Sequence, residues 1–95
     1  MEQTNVIHLT RHATVRSQQR GIRRWVISAV IRHADKVKHV GDNCISQFIS
    51  EKKRADLIRT GIFSPSNGDL VKNIVVISRK EEVVTVFHKK TRLYN

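Results

Sequence analysis

The sequence has few of the residues that cross-link a small domain, and few of the apolar runs that span a membrane or direct secretion. Its single cysteine, Cys44, cannot form a disulfide within the chain and therefore favours a reducing compartment. Because it falls in a predicted strand, Cys44 is interpreted as a small core side chain rather than a nucleophile. No apolar run approaches the roughly 20 residues that span a membrane, and the first residues lack the apolar stretch of a secretory signal. The sequence predicts a cytoplasmic protein without membrane contact.

Apolar residues are also scarce. Only 39% of the 95 residues are hydrophobic, and five are aromatic. A chain of this length has room for one sheet packed against one layer of helices. We therefore expect a single domain over residues 1–95.

Acidic residues are the third shortage. Eighteen Lys and Arg residues oppose eight Asp and Glu residues, which gives a net charge of +10. Such a charge is typical of a nucleic-acid-binding domain. A solubility device, a membrane-surface protein and a chain that pairs with an acidic protein would also be basic. Nucleic acid is the preferred interpretation, because small basic domains rarely have another use.

The arginines are concentrated in the first third of the chain. Residues 1–34 contain six arginines, no lysine and one acid, Glu2. A guanidinium group matches phosphate oxygens bidentately, whereas a lysine acts as a point charge. This segment therefore indicates phosphate recognition rather than general solubility. Its arginines are Arg11, Arg16, Arg20, Arg23, Arg24 and Arg32.

Two helices are predicted after a short first strand. Thr10 is a favourable N-cap for a helix over residues 11–20, which Gly21 would close in the left-handed conformation. A second helix over residues 23–33 has apolar residues on more than one stripe, so we expect it to be largely buried. Its Trp25 is interpreted as a core anchor rather than a platform for base stacking.

The rest of the chain changes to a period of two. Residues 41–43 predict a turn, residues 55–60 fit either a helical turn or a strand, and residues 64–68 predict a loop. The last two strands have so short a connection that they predict an antiparallel hairpin. The predicted class is α+β, with two N-terminal helices on a mainly antiparallel sheet of three to four strands. The predicted strands are residues 6–9, 36–40, 44–50, 73–79 and 83–88.

A basic stripe is expected along the first helix. His12, Arg16 and Arg20 have the spacing i, i+4, i+8, which places them on one face. The alternative is a solvated basic face. Since this helix has few core residues, we expect part of the stripe to lie against the sheet and form a site.

The chain ends in a second group of polar and cationic residues. RNA cleavage by transesterification requires a base for the 2′-hydroxyl, cations for the phosphate and an acid for the leaving 5′-oxygen. Histidine, arginine, lysine and tyrosine supply these functions without a metal ion. A solvated basic tail is the alternative. The residues concerned are His88, Lys89, Lys90, Arg92 and Tyr94.

Other chemistries lack their usual patterns. The five histidines do not have zinc-ligand spacing with Cys or acids, and there is no glycine-rich phosphate loop. No carboxylate cluster indicates a metal-dependent nuclease. We therefore expect neither a metal nor another cofactor.

Residues 10–22 resemble the signature T-x-H-A-x-x-R-x-x-x-R-G-I of a small bacterial family of unknown function, grouped with BrnT-like and RelE/ParE-like toxins. The last strand, with Thr85, Val86, Phe87 and His88, resembles that family's closing strand, so the similarity spans nearly the whole chain. The resemblance implies a RelE-like fold and a metal-independent endoribonuclease toxin that cleaves messenger RNA, often on the ribosome. It also implies an acidic antitoxin partner.

The resemblance carries over residue by residue to His12, Arg16 and Arg20 in the first motif, and to Thr85 and His88 in the second. Relatives often place Ser or Thr after Gly-Ile, where this chain has Arg23, so an N-cap hydrogen bond is lost. Residues 55–72 match no part of the family pattern.

From these observations we predict an endoribonuclease of a type II toxin–antitoxin pair. His12, Arg16 and His88 are the predicted catalytic residues, expected to share one groove. The alternatives are a non-catalytic RNA- or DNA-binding module and a ParE-like toxin that inhibits a protein target. The predicted nucleic-acid-binding residues are Arg11, Arg20, Arg23, Lys89, Lys90, Arg92 and Tyr94.

Overall fold

The computed structural model describes residues 7–89, in which four helices and five strands are found. The elements are β1 (His8–Leu9), α1 (Arg11–Gln19), α2 (Arg24–His33), β2 (Lys36–Gly41), β3 (Cys44–Phe48), α3 (Glu51–Arg59), α4 (Pro65–Val71), β4 (Ile74–Arg79) and β5 (Glu82–His88). Within this part of the chain, no helix is long and apolar enough to cross a membrane.

The strands form one mixed sheet in the order β1-β5-β4-β3-β2. The short strand β1 pairs parallel with β5, and the other neighbours are antiparallel. The α+β class and the β4–β5 hairpin are therefore confirmed. The predicted count of helices and strands is too low, because the segment after β3 is helical and β1 joins the sheet.

Helix α1 begins and ends as its sequence predicts. The Thr10 hydroxyl accepts a hydrogen bond from the Ala13 amide at 3.0 Å. Gly21 has a φ of +66°, and the Ile22 amide donates to the Ser17 carbonyl at 2.8 Å. This 6→1 bond is the Schellman closure, which satisfies carbonyls that a helix end otherwise leaves unpaired.

Helices α3 and α4 correct the prediction for residues 51–71. The Ser50 hydroxyl accepts from the Lys53 amide, so Ser50 caps α3 instead of extending β3. The Ser64 hydroxyl accepts from the Asn67 amide, and Pro65 opens α4. The predicted loop at residues 64–68 is therefore wrong. Serine followed by proline favours a helix start as strongly as it favours a turn.

The main core lies between the helices and one face of the sheet. Strands β4 and β5 contribute Ile74, Val76, Val83 and Val86, and the helices contribute Ala13, Val26, Ile27, Val30, Leu57 and Val71. Two predicted core residues are not buried there: Trp25 keeps 39% of its surface exposed, and Cys44 is half-buried. Trp25 lies beside the inward-facing positions of α2, which Val26, Ile27 and Val30 occupy.

Helix α1 covers the outer edge of β5 beyond β1. The Thr10 amide donates to the Val83 carbonyl at 2.9 Å, and the Thr10 hydroxyl reaches the Val84 carbonyl at 3.4 Å. The Arg20 guanidinium donates to the Val86 carbonyl at 3.0 Å. Carbonyls of β5 that would otherwise be open to another strand are thereby satisfied. Because β1 runs parallel to β5, α1 follows the direction of β5 from Val83 towards Val86.

Asp35 connects the end of α2 to the start of α3. Its carboxylate accepts hydrogen bonds from the Ser50 amide at 2.8 Å and the Ser50 hydroxyl at 2.6 Å. Partial burial acts to raise the pKa of Asp35, but the hydrogen bonds from Ser50 outweigh it and hold the pKa below its usual value. The ionised form is therefore the one that stabilises the fold.

We expect Asp35→Asn to lower the free energy of unfolding by roughly 1 kcal/mol at pH 7, the usual contribution of such hydrogen bonds. Because the folded-state pKa is depressed, this contribution exists above the unfolded value of about 3.9 and is lost as the pH falls through the folded value. Thermal unfolding at pH 7 and pH 3 measures it, with Asp42→Asn as the control. A variant that stays equally destabilised at pH 3 would contradict the assignment.

Candidate nucleic-acid interface

The ion pairs of the described residues are confined to α3 and α4. Arg54 pairs with Glu51 at 2.9 Å and Asp69 at 3.7 Å, and Arg59 pairs with Asp56 at 2.8 Å. Within residues 7–89, no carboxylate is paired with an arginine of α1 or α2. The uneven charge of the sequence therefore persists in three dimensions, with an arginine-rich surface on one part of the domain.

Cationic side chains converge at the end of β5. A depression of about 270 Å³ lies between the α1–α2 turn, the end of α4 and the end of β5. Arg23, Lys72, His88 and Lys89 line it, with Asp69 as an acid among them. We call this site the basic depression. Three residues predicted from the sequence, namely Arg23, His88 and Lys89, are brought together here.

The elements around the basic depression fix these residues. His88 pairs with Ile74 across the β4–β5 ladder, and the Lys89 amide extends the ladder by donating to the Asn73 carbonyl at 2.6 Å. The Lys89 ammonium lies 4.3 Å from the centroid of the Phe48 ring, which is within the range of a cation–π contact. Lys89 is thus partly engaged, whereas Lys72 and Arg23 are exposed.

Arg23 also stands at the start of α2. It is the N-cap residue, and its side chain makes no capping hydrogen bond, as the departure from the family pattern predicts. The first amides of a helix without a side-chain cap attract anions, because they point outward from the positive end of the helix dipole. The start of α2 therefore lies beside the cations of the basic depression.

In the predicted basic stripe on α1, two side chains make hydrogen bonds within the protein and the others are exposed. The Arg20 guanidinium binds the Val86 carbonyl, and Arg16 donates to the Gln19 amide oxygen at 3.3 Å. Arg11 and His12 are exposed in the first turn. Part of the stripe therefore lies against the sheet, as expected, but through Arg20 rather than through His12.

Helix α1 starts near one end of β5, and His88 stands at the other end. The first turn of α1 lies beside Val83 and Val84 at the start of β5, whereas His88 is its last residue. The extended strand from Val84 to His88 spans about 13 Å. His88 lines the basic depression, whereas His12 and Arg16 do not, and the single groove expected for these three residues stays a prediction.

The other histidines occupy distinct surroundings. His33 packs edge-on against Phe63, with ring centroids 5.5 Å apart, and burial together with Arg32 and Lys53 lowers its pKa. His39 is exposed on the edge strand β2. In the part of the chain that the structure describes, no three His, Cys, Asp or Glu side chains are placed to hold a metal ion.

Sequence reasoning missed Lys72 and Asp69. Both belong to the segment that matched no known pattern, although Ser64 and Pro65 signal a helix that would end near Lys72. The predicted residues Lys90, Arg92 and Tyr94 lie outside the described residues.

Fold and charge together define a small basic α+β protein, with an arginine surface that has no carboxylate partner within residues 7–89. Comparisons with models of protein families, with characterised proteins and with solved structures find no match to this chain.

Proposed function

We propose that this protein binds RNA at the basic depression and cleaves it without a metal ion, as a RelE-like toxin of a toxin–antitoxin pair. The observation that carries the proposal is the convergence of Arg23, Lys72 and His88 at one depression, beside the uncapped start of α2. An RNA phosphate needs such a set of donors, because negative charge builds up on its oxygens during cleavage.

The chemistry follows from the residues at the depression. Neutral His88 removes the proton of a ribose 2′-hydroxyl, and the 2′-oxygen attacks the adjacent phosphorus. The bond from phosphorus to the 5′-oxygen breaks, and the ammonium group of Lys72 donates the proton that the leaving oxygen takes up. The products are a 2′,3′-cyclic phosphate and a 5′-hydroxyl. Arg23 binds the phosphate oxygens as their charge increases.

The motif on α1 supports the proposal once its structural residues are set aside. Thr10 caps the helix, Ala13 and Ile22 are buried, Arg20 binds the Val86 carbonyl, and Gly21 closes the helix. The two remaining residues are His12, which is exposed, and Arg16, which is half-buried and donates a hydrogen bond to Gln19. We assign them, together with Arg11, to a track that binds the RNA backbone leading to the basic depression.

The same surface suits the acidic antitoxin that the family resemblance implies. An acidic chain placed over α1 and the α1–α2 turn would neutralise arginines that have no carboxylate partner in residues 7–89 and would block the RNA track. Binding would also raise the melting temperature by mass action.

A second candidate is an RNA-binding module without catalytic activity. It is favoured by one observation, namely that His88 is the only histidine lining the basic depression. Transesterification with one imidazole needs a lysine as the acid, whereas binding alone does not.

The two candidates are separated by incubating end-labelled single-stranded RNA with the purified protein in EDTA. We expect fragments that end in a 2′,3′-cyclic phosphate, formed far more slowly by His88→Ala protein purified in the same way. RNA that is bound but remains intact would replace the nuclease with the binding module. RNA that is neither bound nor cleaved would contradict both.

A further inference from the structure

A second cavity lies at the opposite end of β5, under helix α2. This opening of about 530 Å³, which we call the α2 cleft, is bounded by α2, by β3 and by the β4–β5 turn. Helix α2 packs on the sheet through Val26, Ile27 and Val30. The residues of β3 are only half-buried, so space for the cleft remains beside this contact. The proposed nuclease site does not use it. Its volume lies within the range of roughly 300–1,000 Å³ that holds small molecules.

The floor of the α2 cleft is polar. Ser78 is 7% exposed, and its hydroxyl donates to the Gln47 amide oxygen at 3.3 Å. This bond leaves the amide N–H groups of Gln47 without a partner among the described residues. Gln47 is half-buried, so these N–H groups are open to a ligand that carries hydrogen-bond acceptors.

The walls are apolar and incompletely covered. Ile31 of α2, Ile45 of β3 and Ile7 line the cleft. All three are half-buried. Apolar walls above a hydrogen-bonding floor suit a flat, partly polar ring such as a nucleobase.

The mouth carries charges of both signs. Arg32 and Lys80 line it together with Glu81 and Glu82, and none of these four is in an ion pair within residues 7–89. Cations at the rim bind a phosphate, and carboxylates accept hydrogen bonds from ribose hydroxyls. A second depression shares Lys80, Glu81 and Glu82 with the cleft and extends past them to Arg79, which leaves room for a ribose beside the glutamates.

We propose that the α2 cleft binds one ribonucleotide. The base lies between Ile31 and Ile45 and accepts a hydrogen bond from the Gln47 amide. The ribose hydroxyls donate to the glutamates, and Arg32 binds the phosphate. The choice of ligand rests on the proposed action on RNA. The same chemistry is found in an unpaired nucleotide of an RNA chain and in a free nucleoside monophosphate.

The experiment is an NMR titration of the slowly cleaving His88→Ala protein with the four ribonucleoside 5′-monophosphates and with a short RNA. We expect shifts at Gln47, Ser78 and Ile45. Removal of the 2′-hydroxyl should weaken binding roughly threefold to tenfold, the usual effect of one hydrogen bond. Arg32→Ala should weaken it at least tenfold, as for a charged hydrogen bond, with the exposed Arg59→Ala as the matched control.

Each result either identifies the source of the ligand or contradicts the proposal that the α2 cleft binds a ribonucleotide. Binding of monophosphates that needs Arg32 supports a free nucleotide site. Binding of RNA alone that weakens in both Gln47→Leu and Arg32→Ala supports a nucleotide within a chain. If neither ligand shifts the cleft residues, or if neither variant changes affinity, the proposal is wrong. Because the assay does not require cleavage, loss of the nuclease assignment leaves these results valid.

Discussion

Replacement of His88 by alanine is expected to lower the rate of RNA cleavage by roughly 10²- to 10⁴-fold, with RNA affinity nearly unchanged. The range is the usual contribution of a positioned acid or base. His88 is exposed at the end of β5, so its removal leaves the core intact. Single-turnover cleavage of a labelled RNA gives the rate, and equilibrium binding in the same buffer gives the affinity.

Two other histidines provide matched controls for this result. His39 is exposed on β2, so His39→Ala should change neither rate nor affinity. His12 lies in the first turn of α1, near the start of β5, and His12→Ala should weaken binding only slightly. A loss of rate in His12→Ala without one in His88→Ala would move the chemistry from the basic depression to α1.

Removal of the two freely exposed cations of the basic depression should have the second large effect. We expect the double variant Arg23→Gln with Lys72→Gln to lower RNA affinity roughly 10²- to 10⁴-fold at low salt, because each charged hydrogen bond contributes about 1.5–3 kcal/mol. The slope of log affinity against log salt should flatten by about 1.4, which corresponds to two phosphates on a single strand. A salt series of equilibrium binding curves measures both.

The control is the double variant Lys52→Gln with Arg59→Gln on α3, which removes the same charge from residues that do not line the basic depression. Its slope of log affinity against log salt should equal that of the unmodified protein. An unchanged slope in Arg23→Gln with Lys72→Gln would show that these residues hold no phosphate. Arg20 differs from both pairs, because its guanidinium binds the Val86 carbonyl. Its replacement should lower the melting temperature.

Local signals in the sequence account for α1 and for both hairpins. Thr10 and Gly21 mark the two ends of α1, since each acts on its own backbone neighbours. The turn at residues 41–43 is equally local, with Asp42 and Asn43 both at positive φ. Such features depend on a few consecutive residues, so the sequence alone predicts them.

Features that depend on distant segments were not predictable in the same way. The parallel pairing of β1 with β5 places α1 alongside the last strand, and nothing in the spacing of His12 and Arg16 indicates that direction. Lys72 joins His88 only because α4 ends beside β4 and β5. The identity of several site residues was therefore predictable, but their arrangement required the pairing of strands far apart in the chain.

The pairing of β1 with β5 also affects the order in which the parts of the domain fold. The hydrogen bond from Thr10 to Val84 joins residues 74 positions apart, whereas the two hairpins close short loops. The entropy lost on closing a loop must be offset before distant contacts form, so local hairpins precede the docking of β1 and α1. Arg23 meets His88 only after that step. The basic depression is therefore assembled only after β5 has paired with β1, late in the folding of the described residues.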